Sequence, residues 1–163
     1  MEEWRFQAKS ITKYNPLFRD GNGHFKGETW TSICDLTKAN SDEIDPEYFI
    51  IEDNYAESIL LINDYVNSTP FLHIKNLYKH PKEDDLFEND KNLKKLFRSL
   101  RNDSKIDTIS LREIVKLNLR EHINCELFLD KQSNTVIRFG FDFYMYLNSD
   151  IELETIFNTI EKT

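Results

Sequence analysis

Cysteine is scarce: two residues in 163, Cys34 and Cys125, far apart and in no ligand-spaced pair. That pattern excludes a disulfide framework and reads as reduced thiols in or near the core of a cytosolic protein. The four histidines, His24, His73, His80 and His122, fall in no metal-motif spacing. Apolar runs are short, and none approaches the roughly 20 residues that span a bilayer. Met1-Glu2-Glu3-Trp4 lacks the basic start and apolar stretch of a signal peptide. Basic charge is in deficit, with 21 Lys and Arg against 29 Asp and Glu, a formal charge of −8. Non-specific nucleic-acid binding needs the opposite balance, so no nucleic acid and no membrane is expected as partner. No P-loop, dinucleotide fingerprint or G-x-S-x-G is present, and no cofactor is implied. Internal repeats and low-complexity tracts are also missing.

Aromatics are plentiful, twelve Phe and seven Tyr. They argue against disorder, and the length suits one domain with a core of its own. The clearest pattern lies at 136–147, where Ile137, Phe139, Phe141, Phe143, Met145 and Leu147 alternate with a mixed face. Alternation of that length predicts a half-buried β-strand. Ile123, Cys125, Leu127 and Leu129 predict the strand before it, with Lys131-Gln132-Ser133-Asn134 as the turn. Matching apolar faces sets these four opposite Phe143, Phe141, Phe139 and Ile137, which requires an odd loop. The other face then carries Phe128 by Arg138, Glu126 by Gly140, Asn124 by Asp142 and His122 by Tyr144.

Further strands are expected at 3–11, from the alternation of Trp4, Phe6 and Ala8, at 28–36 returning against the first, and at 71–77. A helix over about 46–66 is predicted from Asp45 as N-cap, Pro46 at the first helical position, and the stripe Tyr48, Ile51, Tyr55, Ile59, Ile62 and Val66. Ile50, Leu60 and Leu61 widen its apolar surface. Leu93, Leu96, Phe97 and Leu100 predict a helix at about 90–101, and 151–160 a short closing helix. Ser110 and Glu113 fit a capping box for a short helix or turn at 110–116, and the pattern on to about Glu121 is open between helix and strand. The fold class is therefore α+β: a single domain, 1–163, with a mainly antiparallel sheet, a C-terminal β-hairpin and helices packed on it.

Asp20-Gly21-Asn22-Gly23 superficially fits a calcium loop but lacks the third acidic position and the Glu at the twelfth. No metal ligand set is expected. Glu126 and Asp142 share a predicted sheet face with His122, Arg138, Tyr144 and Tyr146. They read either as a general base and an anion clamp in a small enzyme or ligand-binding protein, or as a cross-strand ion-pair surface. Asp53, Glu57 and Asp64 form the outer ridge of the long helix, a solvated face or a partner surface. The acidic run Glu83, Asp84, Asp85, Glu88 and Asp90 sits in the least structured segment, which adapts more easily to a partner; the alternative is that the basic residues of the next helix, Lys91, Lys94, Lys95, Arg98 and Arg101, largely neutralise it.

Trp4-Arg5-Phe6, Ile11-Thr12-Lys13-Tyr14-Asn15-Pro16-Leu17-Phe18-Arg19-Asp20 with Gly23 and Phe25, and Glu28-Thr29-Trp30-Thr31-Ser32 form one set of motifs. Tyr48-Phe49-Ile50-Ile51-Glu52-Asp53 with Tyr55, and Phe139-Gly140-Phe141-Asp142-Phe143-Tyr144-Met145-Tyr146, continue it over most of the chain. This set resembles the immunity proteins of bacterial toxin–immunity systems, such as contact-dependent inhibition and polymorphic toxins. The resemblance implies a cytoplasmic, non-enzymatic protein that binds a cognate toxin domain, often a nuclease, stoichiometrically and blocks it. An acidic inhibitor suits a basic nuclease cleft. The acidic run at 83–90 is the first expected contact surface, and Asp53, Glu57 and Asp64 the second.

Overall fold

The computed structural model describes residues 8–22, 24–27, 29–32, 35, 46–77, 91–102, 104–140 and 143–160. Among these, the strands are β1 Lys9–Thr12, β2 Phe71–Leu77, β3 Ser104–Lys105, β4 Ile123–Asp130, β5 Thr135–Phe139 and β6 Tyr144–Asn148. The helices are α1 Pro46–Val66, α2 Lys91–Ser99, α3 Thr108–Leu119 and α4 Glu154–Ile160. All strand pairings are antiparallel, in the order β1-β6-β5-β4-β2-β3. The protein is a single α+β domain, as expected. No helix among the described residues is long and apolar enough to cross a membrane.

The helix at 46–66 follows its stripe: Tyr48, Tyr55, Ile59 and Ile62 are buried. Asn67 in the left-handed region (φ 49°) ends it, its N–H donating to the Asn63 carbonyl. Ile50 does not extend the apolar face inward; it is 61% exposed. Asp45, the expected cap, lies outside the described residues. α3 starts earlier and runs longer than the expected 110–116. Asp107 caps it by accepting the Ser110 N–H at 2.7 Å, so Ser110 is the third helical residue and not the cap. An ionised carboxylate outcompetes the hydroxyl for those N–H groups and favours the positive helix end. α3 buries Leu111, Ile114, Val115, Leu117 and Leu119 and packs against α1, α2 and β4.

The stretch at 136–147 is not one strand. It folds back between β5 and β6, with Phe139 opposite Met145. The Gly140 N–H donates to the Tyr144 carbonyl at 2.7 Å, and Phe143 takes φ 57°. That conformation is costly for a bulky residue. It is held by an aromatic cage of Trp30, Tyr48 and Tyr55, whose rings lie 5.0, 5.7 and 5.6 Å from that of Phe143. The Tyr55 hydroxyl donates to the Phe143 carbonyl at 2.5 Å. Lys13 braces the cage from outside, with Nζ 3.4 Å from the Trp30 ring centroid and donating to the Trp30 carbonyl.

The β4–β5 register also differs from expectation by two residues. Leu127 faces Ile137, not Phe139, and Glu126 faces Arg138, not Gly140. The turn at 131–134 has an even count, and an irregularity between Phe128 and Asp130 restores the shared apolar face. Of the expected strand at 28–36, the described residues 29–32 are irregular, and β6 rather than that segment pairs with β1. Asp35 organises the segment by accepting from the Thr31 and Ser32 amides and the Thr31 hydroxyl. Of the strand expected at 3–11, residues 9–11 lie in β1, and 3–7 are outside the described residues, as is Cys34. Cys125 is a buried free thiol whose burial pushes its pKa up, consistent with a reduced core residue.

Among the described residues, one charged pair lies in the core. Glu52, 1% exposed, receives Arg120 Nε and Nη2 at 2.7 Å each and the Tyr48 hydroxyl at 3.2 Å. Glu52→Gln leaves the guanidinium without its counter-ion and is expected to cost about 3–5 kcal/mol. Denaturant unfolding checks this; a loss below about 1 kcal/mol would show that the pair does not hold α1 to the end of α3. Tyr55→Phe is expected to cost about 1–3 kcal/mol by orphaning the Phe143 carbonyl, measured in the same assay.

Candidate functional site

On the sheet face turned away from the helices, the register lays side chains out in cross-strand rows. One row runs Lys105, Phe71, Phe128, Val136 and Asn148. The next runs His73, Glu126, Arg138, Tyr146 and Ser10. Tyr144 and Thr12 begin a third. Directly opposed side chains sit about 4.5–5.5 Å apart at Cβ, so each row is a continuous strip. The first is apolar in its middle, and the second is charged.

In the charged row, Arg138 Nε donates to Glu126 Oε1 at 2.5 Å and Nη1 to Asn148 Oδ1 at 3.1 Å. Lys75, left out of register by a bulge in β2, reaches the same Glu126 oxygen at 3.1 Å. Partial burial pulls the Glu126 carboxyl up, but the hydrogen bonds and charges of Arg138 and Lys75 together outweigh it and hold it below its ordinary 4.5. A carboxylate so held is a fixed counter-ion and a poor proton acceptor near neutrality. Tyr146 stacks on Tyr144 at 6.2 Å and 15°. Its ring covers Gly140, where a Cβ would come within 2.7 Å. The Tyr144 hydroxyl accepts from Arg19 Nη2 at 2.6 Å, and its ring meets Tyr14 at 5.5 Å.

Between the two rows lies an open groove of about 770 Å³, walled by Phe71, Phe128, Val136, His73, Glu126 and Arg138. Lys131, Asn134, Asn148, Ser149 and Asp150 close one end. The rim there is internally tied. Asn134 Nδ2 donates to Asp150 Oδ2 at 2.5 Å, and hydroxyls link Asp130 through Ser133 and Thr135 to Ser149. Lys131 Nζ sits 3.9 Å from the Phe71 ring centroid, and Phe71 meets Phe128 at 6.5 Å.

The structure brings Glu126 and Arg138 together, with Tyr144 and Tyr146 beside them, as the sequence suggested. His122 does not join them. It is 1% exposed and faces the Phe97 ring at 5.9 Å, at the α3–β4 corner. Asp142 and the run Glu83, Asp84, Asp85, Glu88 and Asp90 lie outside the described residues. Asp53 pairs with Lys116 at 3.0 Å and Arg112 at 3.6 Å, and Glu57 pairs with Arg112. Two of the three ridge carboxylates are thus neutralised by α3, while Asp64 is exposed. Asp20 accepts the Asn22 and His24 amides at 2.9 Å and pairs with Lys26, so its carboxylate organises its own loop. Phe71, Phe128, Lys105 and Lys131 were not anticipated in the site. Alternation placed Phe128 on this face, but the register error hid its neighbours.

The Glu126 shift gives stability a defined acid dependence. Its folded pKa lies below the unfolded one, so its contribution is complete above 4.5 and is lost as pH falls through the lower folded value. Glu126→Gln is expected to cost about 1 kcal/mol at neutral pH. That difference from wild type should shrink steadily on acidification below 4.5. Urea unfolding across pH 3–7 measures it; a gap that stays constant would refute the assignment.

No family model, no curated protein and no solved structure matches the chain; its function has to be argued from its own side chains.

Proposed function

We propose that this chain is an immunity protein, which binds a cognate bacterial toxin domain one to one in the cytoplasm and blocks it without catalysis of its own. The observation that carries this reading is where the acidic surplus resides. Glu52, Asp53, Glu57 and Glu126 are each matched by an internal Arg or Lys. Such pairs consume one cation per carboxylate or more, so the charge of −8 is borne by other acids. Glu83, Asp84, Asp85, Glu88 and Asp90 concentrate five of them within eight positions. A dense anionic segment on a stable scaffold supplies steering and complementarity toward a basic substrate cleft of the kind nucleases carry. The motif resemblance to immunity proteins points the same way.

The enzyme alternative built on Glu126, Asp142 and Arg138 is weaker. Glu126 is pinned by two cations and its pKa runs away from neutrality, the reverse of a base poised to work near pH 7.

Affinity capture from the producing bacterium at low and high salt tests the reading. One basic protein should be retained stoichiometrically at low salt, be released at high salt, and arrest growth when expressed without this chain. Recovery of the bait alone from cells that express the toxin would overturn it. Reversing Glu83, Asp84 and Asp85 to Lys is expected to weaken that complex at least tenfold without lowering the unfolding midpoint. Wild-type affinity at low salt would remove the acidic run from the interface.

A further inference from the structure

We propose that the groove on the open sheet face is a binding site for a small amphipathic organic anion, with its apolar body on Phe71, Phe128 and Val136 and its anionic group between Lys131 and Lys105. None of its residues belongs to the acidic run, and its charge is of the opposite sign.

The floor is one cross-strand row. Phe71 pairs with Phe128, Phe128 with Val136, and all three point away from the helices. Both Phe rings are half-buried, so their faces still have apolar area to lose to a ligand. The volume, about 770 Å³, falls in the range of roughly 300–1,000 Å³ that small-molecule clefts occupy.

Two cations lie beside Phe71, Lys105 of the row and Lys131 of the β4–β5 turn. Lys105 is the direct partner of Phe71 in β3, on its outer side. Lys131 holds its ammonium over the Phe71 ring. Both are exposed, and neither pairs with a carboxylate among the described residues. The other charges on the groove are committed. Glu126 is neutralised by Arg138 and Lys75, and Asp150, the rim carboxylate least suited to an anion, is turned onto Asn134. In a chain of net charge −8, two unmatched lysines flanking an aromatic floor are a local inversion of sign. Such an inversion selects an anion, while the Phe–Phe–Val strip selects a hydrophobic body over a simple inorganic ion.

The probe is 8-anilinonaphthalene-1-sulfonate, with uncharged N-phenyl-1-naphthylamine as its control, titrated into the full chain by fluorescence and calorimetry. The sulfonate is expected to bind one to one and at least tenfold more tightly than the uncharged amine. Lys131→Glu and Lys105→Glu, both surface changes, should each weaken it about tenfold or more and leave the amine unchanged. The double variant Leu17→Ser, Phe18→Ser removes an exposed apolar patch elsewhere, where Leu17 is 85% and Phe18 59% exposed. It should bind the sulfonate as wild type does. Absence of saturable binding, equal affinity for the two probes, insensitivity to both lysine reversals, or loss of binding in the Leu17/Phe18 variant would each overturn the site. None of these outcomes bears on toxin capture, so the two readings fail separately.

Discussion

The buried pair of Glu52 and Arg120 is the constraint on which the other arrangements depend. Removing two ions from water costs several kcal/mol each, and only bidentate geometry with further hydrogen bonds offsets it. Here both guanidinium contacts and the Tyr48 hydroxyl converge on one carboxylate. Glu52 sits on the inner stripe of α1, so satisfying it fixes the rotation of that helix about its axis. Arg120 is the C-cap of α3. The next residue, Glu121, turns into the left-handed region (φ 61°), and the His122 N–H returns to the Leu117 carbonyl. That corner launches β4. A one-residue slip there would turn Ile123, Cys125, Leu127 and Leu129 outward and bring Glu126 into the core. The pair therefore fixes which face of the sheet is apolar, and with it the rows of the open face.

The aromatic cage around Phe143 is the second tie. It joins α1, through Tyr48 and Tyr55, to the β5–β6 turn at the far side of the sheet. A left-handed Phe stores local strain, and its carbonyl and ring must both be held for the turn to stay closed. The same turn sets Tyr146 across Gly140 and opposite Arg138. Burial inside the sheet thus positions side chains on its outside.

This coupling also explains what could be read in advance. α1 was legible to its ends because Pro46 at its start and the apolar stripe through Val66 agree. The β5–β6 turn was not, for a definite reason. Phe139 faces Met145, so the hairpin pairs odd residues with odd ones, and the apolar phase passes through the fold-back unchanged. Period-two alternation carries no record of such a turn; the remaining cue was Gly140. In the β4–β5 hairpin the period-two phase assigns the faces correctly, but a bulge absorbs the loop parity, and the pairing moves by two. Of the site, Glu126, Arg138, Tyr144 and Tyr146 were visible because they lie close in sequence, on the consecutive strands β4, β5 and β6. Phe71, Lys105 and Lys131 come from β2, β3 and a turn, and only the sheet order makes them neighbours.

The distribution of charge follows from the same geometry. α1 and α3 run antiparallel, so carboxylates at 52, 53 and 57 meet cations at 120, 116 and 112 in successive turns. A ridge that looks acidic in sequence is matched by cations at two of its three carboxylates in the fold. Conversely, Lys105 and Lys131, unremarkable in a chain with 21 basic residues, flank one aromatic ring because β3 and the β4–β5 turn border β2. Helix packing and sheet pairing thus sort the charges differently from their order in the chain. What is left over is an acidic run in one stretch of sequence and a basic, aromatic strip on one sheet face. Opposite signs suit two kinds of partner, a basic protein for the acidic run and an organic anion for the strip.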